Sequence, residues 1–132
     1  MAPYIRAGIY PINEVLPFII SSDGFHRKDS EKDYDGHIVR MDSLRYRVFA
    51  SKGAKCAKCG IEGKYFALEK DKHADTTYWH FNLYALNKEN HEVLMTKNHI
   101  DLTKQEDKNS IDNLQTTCIE CNHKSRKLLK EK

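Results

Sequence analysis

Two Cys-x-x-Cys pairs, Cys56-Ala57-Lys58-Cys59 and Cys118-Ile119-Glu120-Cys121, constrain this chain more than any other feature. Two thiolates at that spacing can grip one ion from a tight turn, and Gly60 behind the first pair permits such a turn. The second pair completes a ligand set of four, so a structural zinc site is expected. The bulk numbers agree. Only 39% of the 132 residues are hydrophobic, which predicts a modest core that benefits from a cross-link.

Zinc is favoured over disulfides by the expected compartment. Residues 1–10 lack the basic start and apolar run of a secretory leader, and no stretch approaches the ~20 apolar residues that span a bilayer. The expectation is a cytoplasmic protein without a membrane partner, where thiols stay reduced. A redox role for one pair leaves the other unexplained.

At this length the chain reads as a main domain over residues 39–132 preceded by an N-terminal arm over 1–38. Pro3, Pro11 and Pro17 punctuate the arm, Ser21 to Gly24 reads as a turn, and Ser30 to Gly36 as a charged, solvated loop. Asn13 to Ile20 is either a short helix or extended. Met41, Leu44, Val48 and Phe49 then fall on one face of a helix, with Asp42 or Ser43 as cap and Gly53 as stop. Arg45 and Arg47 lie off that stripe and read as solvated.

After the first Cys pair comes a β region. Tyr65 to Leu68 is a short strand, and Tyr78 to Leu86 alternates, with Trp79, Phe81, Leu83 and Ala85 on one face. Asn87 to Asn90 is a turn, and Glu92 to Ile100 returns as the partner strand. Asp101 to Ser110 reads as a surface loop, and a helix is expected from Ile119 to about Lys130. His73, His80 and His91 read as structural or solvated. Net charge is only +3, but the last nine residues hold Lys124, Arg126, Lys127, Lys130 and Lys132 against Glu131 alone.

His99 stands at the end of a strand just before an irregular loop. Neutral imidazole near pH 7 accepts a proton from water, which suits general-base hydrolysis. Asn113 closes that loop, and its side chain can hold a turn or orient a neighbouring histidine. Asn122 and His123 are about 100° apart on the expected helix, so only one of them can share a groove with His99.

Cys-x-x-Cys, a strand ending in Asn98-His99-Ile100, then Asn113-Leu114-Gln115-x-x-Cys118-x-x-Cys121-Asn122 and basic residues resembles the HNH endonuclease family, particularly its small phage and prophage members. The resemblance covers roughly Met41 to Lys130. It implies an α+β chain with a ββα-metal core. It also implies metal-dependent hydrolysis of double-stranded DNA by a monomer or homodimer, with nicking as the default for one site.

By position, His99 would be the general base and Asn113 would orient it and brace the loop. Asn122, directly after the last cysteine, would bind the catalytic Mg²⁺ or Mn²⁺, as in HNN variants. Cys56, Cys59, Cys118 and Cys121 would hold zinc apart from the chemistry, and Lys124, Arg126 and Lys127 would touch backbone phosphates. Family members usually carry an aspartate metal ligand directly before the histidine, where this chain has Asn98. Asp101 or His123 are substitute ligands on this reading. Two rival classes remain: a zinc-stabilised DNA-binding module without catalysis, and a phage packaging or assembly factor.

Overall fold

A computed structural model of the chain describes residues 4–20, 30–72, 79–100 and 111–130, with side chains as far as Lys124. Its centre is an antiparallel five-stranded sheet in the order β1-β4-β5-β6-β7. The strands are β1 (Tyr4–Pro11), β4 (Gly63–Asp71), β5 (His80–Leu86), β6 (Glu92–His99) and β7 (Leu114–Cys118). A small hairpin, β2 (Glu31–Tyr34) and β3 (His37–Arg40), stands beside it. Helices α1 (Leu44–Lys52) and α2 (Ile119–Lys130) complete the α+β architecture.

Helix α1 begins where expected. Of the two candidate caps Ser43 serves, its Oγ accepting the Tyr46 N–H at 3.2 Å, and Gly53 ends the helix at φ 96°. Cap and stop set a nine-residue helix whose Tyr46, Val48 and Phe49 are buried. Against it lies one face of the sheet, fixed by register: Phe66 opposite Leu83, Leu68 opposite Phe81 and Ala85 opposite Val93. Phe81 is the hub. Its ring meets Tyr10, Tyr34 and Phe66 edge-on, and its N–H donates to the Tyr46 hydroxyl at 2.6 Å.

The opposite face of β5 is closed as well. Asn82 and Tyr84 are buried there and both donate to Glu69 at 2.7 Å. Arg6 on β1 reaches Glu69 at 2.8 Å and grips Glu92 with two further bonds of 2.9 Å.

The N-terminal residues are part of this fold rather than an appendage to it. Strand β1 pairs with β4 from Tyr4 opposite Asp71 to Pro11 opposite Tyr65. Two 3₁₀ turns, Ile12–Glu14 and Leu16–Phe18, occupy the stretch with the open assignment, and Val15 between them is fully buried. The boundary placed at residue 38 falls inside β3, and Tyr34 and Val39 enter the same core as Phe81. The expected charged loop is largely the β2–β3 hairpin. Asp35 and Gly36, at φ 54° and 93°, form its two-residue turn, a conformation that Asp-Gly adopts readily. The turn expected at Ser21 to Gly24 lies outside the described residues.

Candidate functional site

The cysteine cluster is built by two local structures. Cys56 and Cys59 lie on a turn closed by Gly60, whose N–H donates to the Cys56 carbonyl at 3.0 Å with φ at 82°. The Cys56 Sγ accepts the N–H groups of Lys58 and Cys59 at 3.4 and 3.5 Å. Cys118 ends β7, and Cys121 lies on the first turn of α2. Ala57 N–H bonds the Thr116 carbonyl at 2.8 Å, which carries the turn onto β7.

All four Sγ atoms lie within 4.8 Å of one another, and Cys59 and Cys118 are 3.8 Å apart. A tetrahedral zinc with bonds of about 2.3 Å requires sulfur separations of about 3.8 Å, so the thiols are positioned to hold such an ion. Burial opposes ionisation of Cys56, yet hydrogen bonds from the Cys59, Cys118 and Lys58 backbones bring its thiol down to about 6. Cys121 is pushed up to about 12, by burial first and then by hydrogen bonds with the other thiols; burial likewise raises Cys118. Crowded thiols resist joint ionisation until a cation lies among them.

Beyond the cysteines, the segment after Asn90 forms a hairpin followed by a helix. Strand β6 pairs with β7 from Met95 opposite Cys118 to His99 opposite Leu114. Strand β7 fills the stretch that carried no assignment between the loop closed by Asn113 and the helix expected from Ile119. Ile100 N–H donates to the Asn113 carbonyl at 2.8 Å, so Asn113 closes the two ends of the loop beside His99. Asn113 is 4% exposed and sits at the end of a 3₁₀ turn, Ile111–Asn113, leading into β7.

Helix α2 returns across β6. Asn122 is buried, and its Nδ2 donates to the Lys97 carbonyl at 3.4 Å, beside Asn98. His123 and Lys124 are exposed, so of the two helix neighbours Asn122 faces the hairpin. Asn98 is 8% exposed, and strand alternation puts it on the opposite face of β6 from half-buried His99. Asn122 Oδ1 is buried without a hydrogen-bond partner among the described residues. An amide oxygen in that state has lost its water and gained nothing in return, a cost of about 1–3 kcal/mol unless a donor or a cation meets it. Here the hairpin and helix bring Asn98, His99, Asn113 and Asn122 to one end of the sheet.

Asp101 and the side chains of Arg126 and Lys127 fall outside the described residues, as does His73. His91 is exposed on the β5–β6 turn, and His80 is lowered by burial and then by Arg45. Arg45, expected to be solvated, is half-buried and donates to the Phe81 carbonyl at 3.1 Å. No helix among the described residues is long and apolar enough to cross a membrane. Compared with family models, curated proteins and solved structures, the chain matches none of them.

Proposed function

We propose that the chain is a metal-dependent HNH-type endonuclease that nicks double-stranded DNA, its β6–β7–α2 unit serving as a ββα-metal core. The observation that supports this reading most is the orphaned Oδ1 of Asn122, buried beside β6 within two residues of His99 along the sheet. A buried acceptor without a donor suits a cation. Asn98 and Asn122 offer neutral oxygens only, whereas Mg²⁺ favours carboxylates and retains water, so these residues would hold such an ion weakly in the absence of DNA.

His99 takes the proton from the attacking water, and its half-exposed position leaves that water room to approach. Asn113 keeps the strand end and the returning chain together beside the imidazole. Asn122, with Asn98 beside it, would hold a Mg²⁺ or Mn²⁺ ion, and such an ion would supply charge neutralisation for phosphodiester hydrolysis. A site with a single base, His99, would serve one strand at a time, hence nicking by a monomer or by each half of a homodimer. The four cysteines hold zinc and keep β7 and α2 in register with the first Cys turn. Lys124, Arg126 and Lys127 touch flanking phosphates. A phage-encoded protein acting in a bacterial cytoplasm fits the resemblance.

The pair of neutral amides favours one second reading, a zinc-stabilised DNA-binding module or packaging factor without catalysis. Relaxation of supercoiled plasmid in Mg²⁺, Mn²⁺ or no added metal separates the two. Nicking by the wild type is expected to need metal and to fall about 10²- to 10⁴-fold in His99→Ala. Asn98→Asp should nick faster and at lower metal concentration. Binding without nicking in both wild type and Asn98→Asp favours the module.

A further inference from the structure

A groove of ≈ 650 Å³ opens between the first Cys turn and the His99 end of the hairpin. Lys52, Lys55 and Lys58 line one wall and Ile100, Gln115 and Thr116 the other, and among the described residues no Asp or Glu lines it. Among the described residues carboxylates pair with arginine and histidine, Arg6 with Glu69 and Glu92, Arg40 with Asp42 at 3.1 Å and His91 with Glu89, and with no lysine, so what marks this groove is the gathering of three lysines on one wall. The three groove lysines form no such pair with a carboxylate among the described residues. Like charges left together on one wall repel, and an anion is what relieves them.

The wall is firmly set. Lys52 is the last residue of α1, and Gly53 turns the chain directly into the Cys turn. Thr116 Oγ1 donates to the Gly53 carbonyl at 2.6 Å, and Ala57 bonds the Thr116 carbonyl. The Lys55 stem crosses the turn, its Cε 3.6 Å from where a Cβ at Gly60 would stand. The other wall leads to the hairpin end, because Ile100 follows His99 and Leu114, at the groove's edge, is the ladder partner of His99.

We propose that this groove is a seat for the DNA backbone, in which Lys52, Lys55 and Lys58 neutralise phosphates flanking the one that faces His99. Its placement relative to the reacting phosphate rests on the endonuclease reading; the binding does not require cleavage. The lysines act as point charges, so they provide affinity that falls with salt and read no sequence.

The test is binding of a fluorescein-labelled DNA duplex across a salt series, without added divalent metal. The Lys52→Ala/Lys55→Ala/Lys58→Ala variant should bind about 10- to 100-fold more weakly at low salt. Its salt slope should be shallower by about 0.9 for each phosphate that is no longer neutralised. Arginine at all three positions should restore both quantities. Lys88→Ala, on the turn at the far end of β6 from His99, should leave them unchanged. Zinc content and circular dichroism certify each variant's fold.

An alanine variant with native zinc content and unchanged affinity and slope overturns the proposal, as does tighter binding of duplex RNA than of DNA. Failure of the two readings can be told apart. If the groove variants behave as expected but plasmid is never nicked, the groove stands and the hydrolase falls. If His99-dependent nicking occurs while the triple alanine variant binds DNA like wild type, the hydrolase stands and the groove falls.

Discussion

Strands β4 and β7 belong to one sheet but are held in it by different means. Strand β4 buries Phe66, Ala67 and Leu68 completely, and its one buried charge, Glu69, is met by Arg6, Asn82 and Tyr84. Strand β7 buries Leu114 and then Thr116, Thr117 and Cys118. Threonines bury little apolar surface, so each contributes far less than the roughly 1.5–3 kcal/mol of a buried phenylalanine or leucine, and β7 has one such large side chain, Leu114, where β4 has Phe66 and Leu68. The deficit lies where the four thiols converge. Aromatic packing holds the half built on β4 and β5, and a metal centre is positioned to hold the half built on β7 and α2.

The most severe way to break that contrast is to remove a thiol from the weaker half. Cys118→Ser should lose the bound metal and with it several kcal/mol of the folded state, since metal affinity is folding energy in such sites. Hydrogen exchange should show protection lost first in β7 and α2 while β4 and β5 keep theirs; uniform loss across the sheet would mean the two halves are one cooperative unit.

The aromatic half should yield to a different substitution. Phe81→Ala should cost about 3–5 kcal/mol in urea unfolding while leaving zinc stoichiometry unchanged in the folded protein. A loss of zinc in step with stability would erase the distinction.

The smallest effect is set by pH. Hydrogen bonding to Arg6, then opposed by burial and helped by Tyr65, holds the Glu92 carboxyl below its ordinary range. A depressed folded value means the unfolded chain binds more protons over that window. The contribution is therefore complete above the ordinary carboxylate range and is lost as pH falls through the lowered folded value. Glu92 is one-third exposed, so less than about 1 kcal/mol is expected. Glu92→Gln should flatten that part of the acid limb without touching metal content; an unchanged limb would remove Glu92 from the account.

What the sequence disclosed follows the same division. The Cys pairs, the α1 cap and stop with Val48 and Phe49 of its stripe, and the apolar face of β5 were legible because each is a local pattern of residue types; Met41 falls before the helix and Tyr46 takes a place in its buried face. Strand β7 was not, since Leu-Gln-Thr-Thr-Cys is short and buried on both faces, which hides the two-residue period. The β2–β3 hairpin was masked by its charges although Asp35-Gly36 marks its turn. Strand β1 was masked by prolines at its borders; pairing with a strand some sixty residues away leaves no local trace. The burial of Asn82 and Tyr84 was not legible, because only the fold reveals Glu69 behind them. At the candidate site, the choice between Asn122 and His123 is a matter of helix phase, which needs the packing of α2 on β6. The lysine wall was overlooked because its members are divided between a helix end and a Cys turn.

The bond from Ala57 to Thr116 has a consequence for solubility. A sheet has two outer strands whose backbone groups can recruit another chain. On β1 that hazard is reduced by the irregular register between Arg6 and Gly8 and by Pro11 at its end. On β7, the Cys turn lies along the outer side, with Ala57 already occupying the Thr116 carbonyl. Metal loss would release that turn and bare a threonine-rich edge, so the thiol centre also acts as a guard against strand-to-strand aggregation.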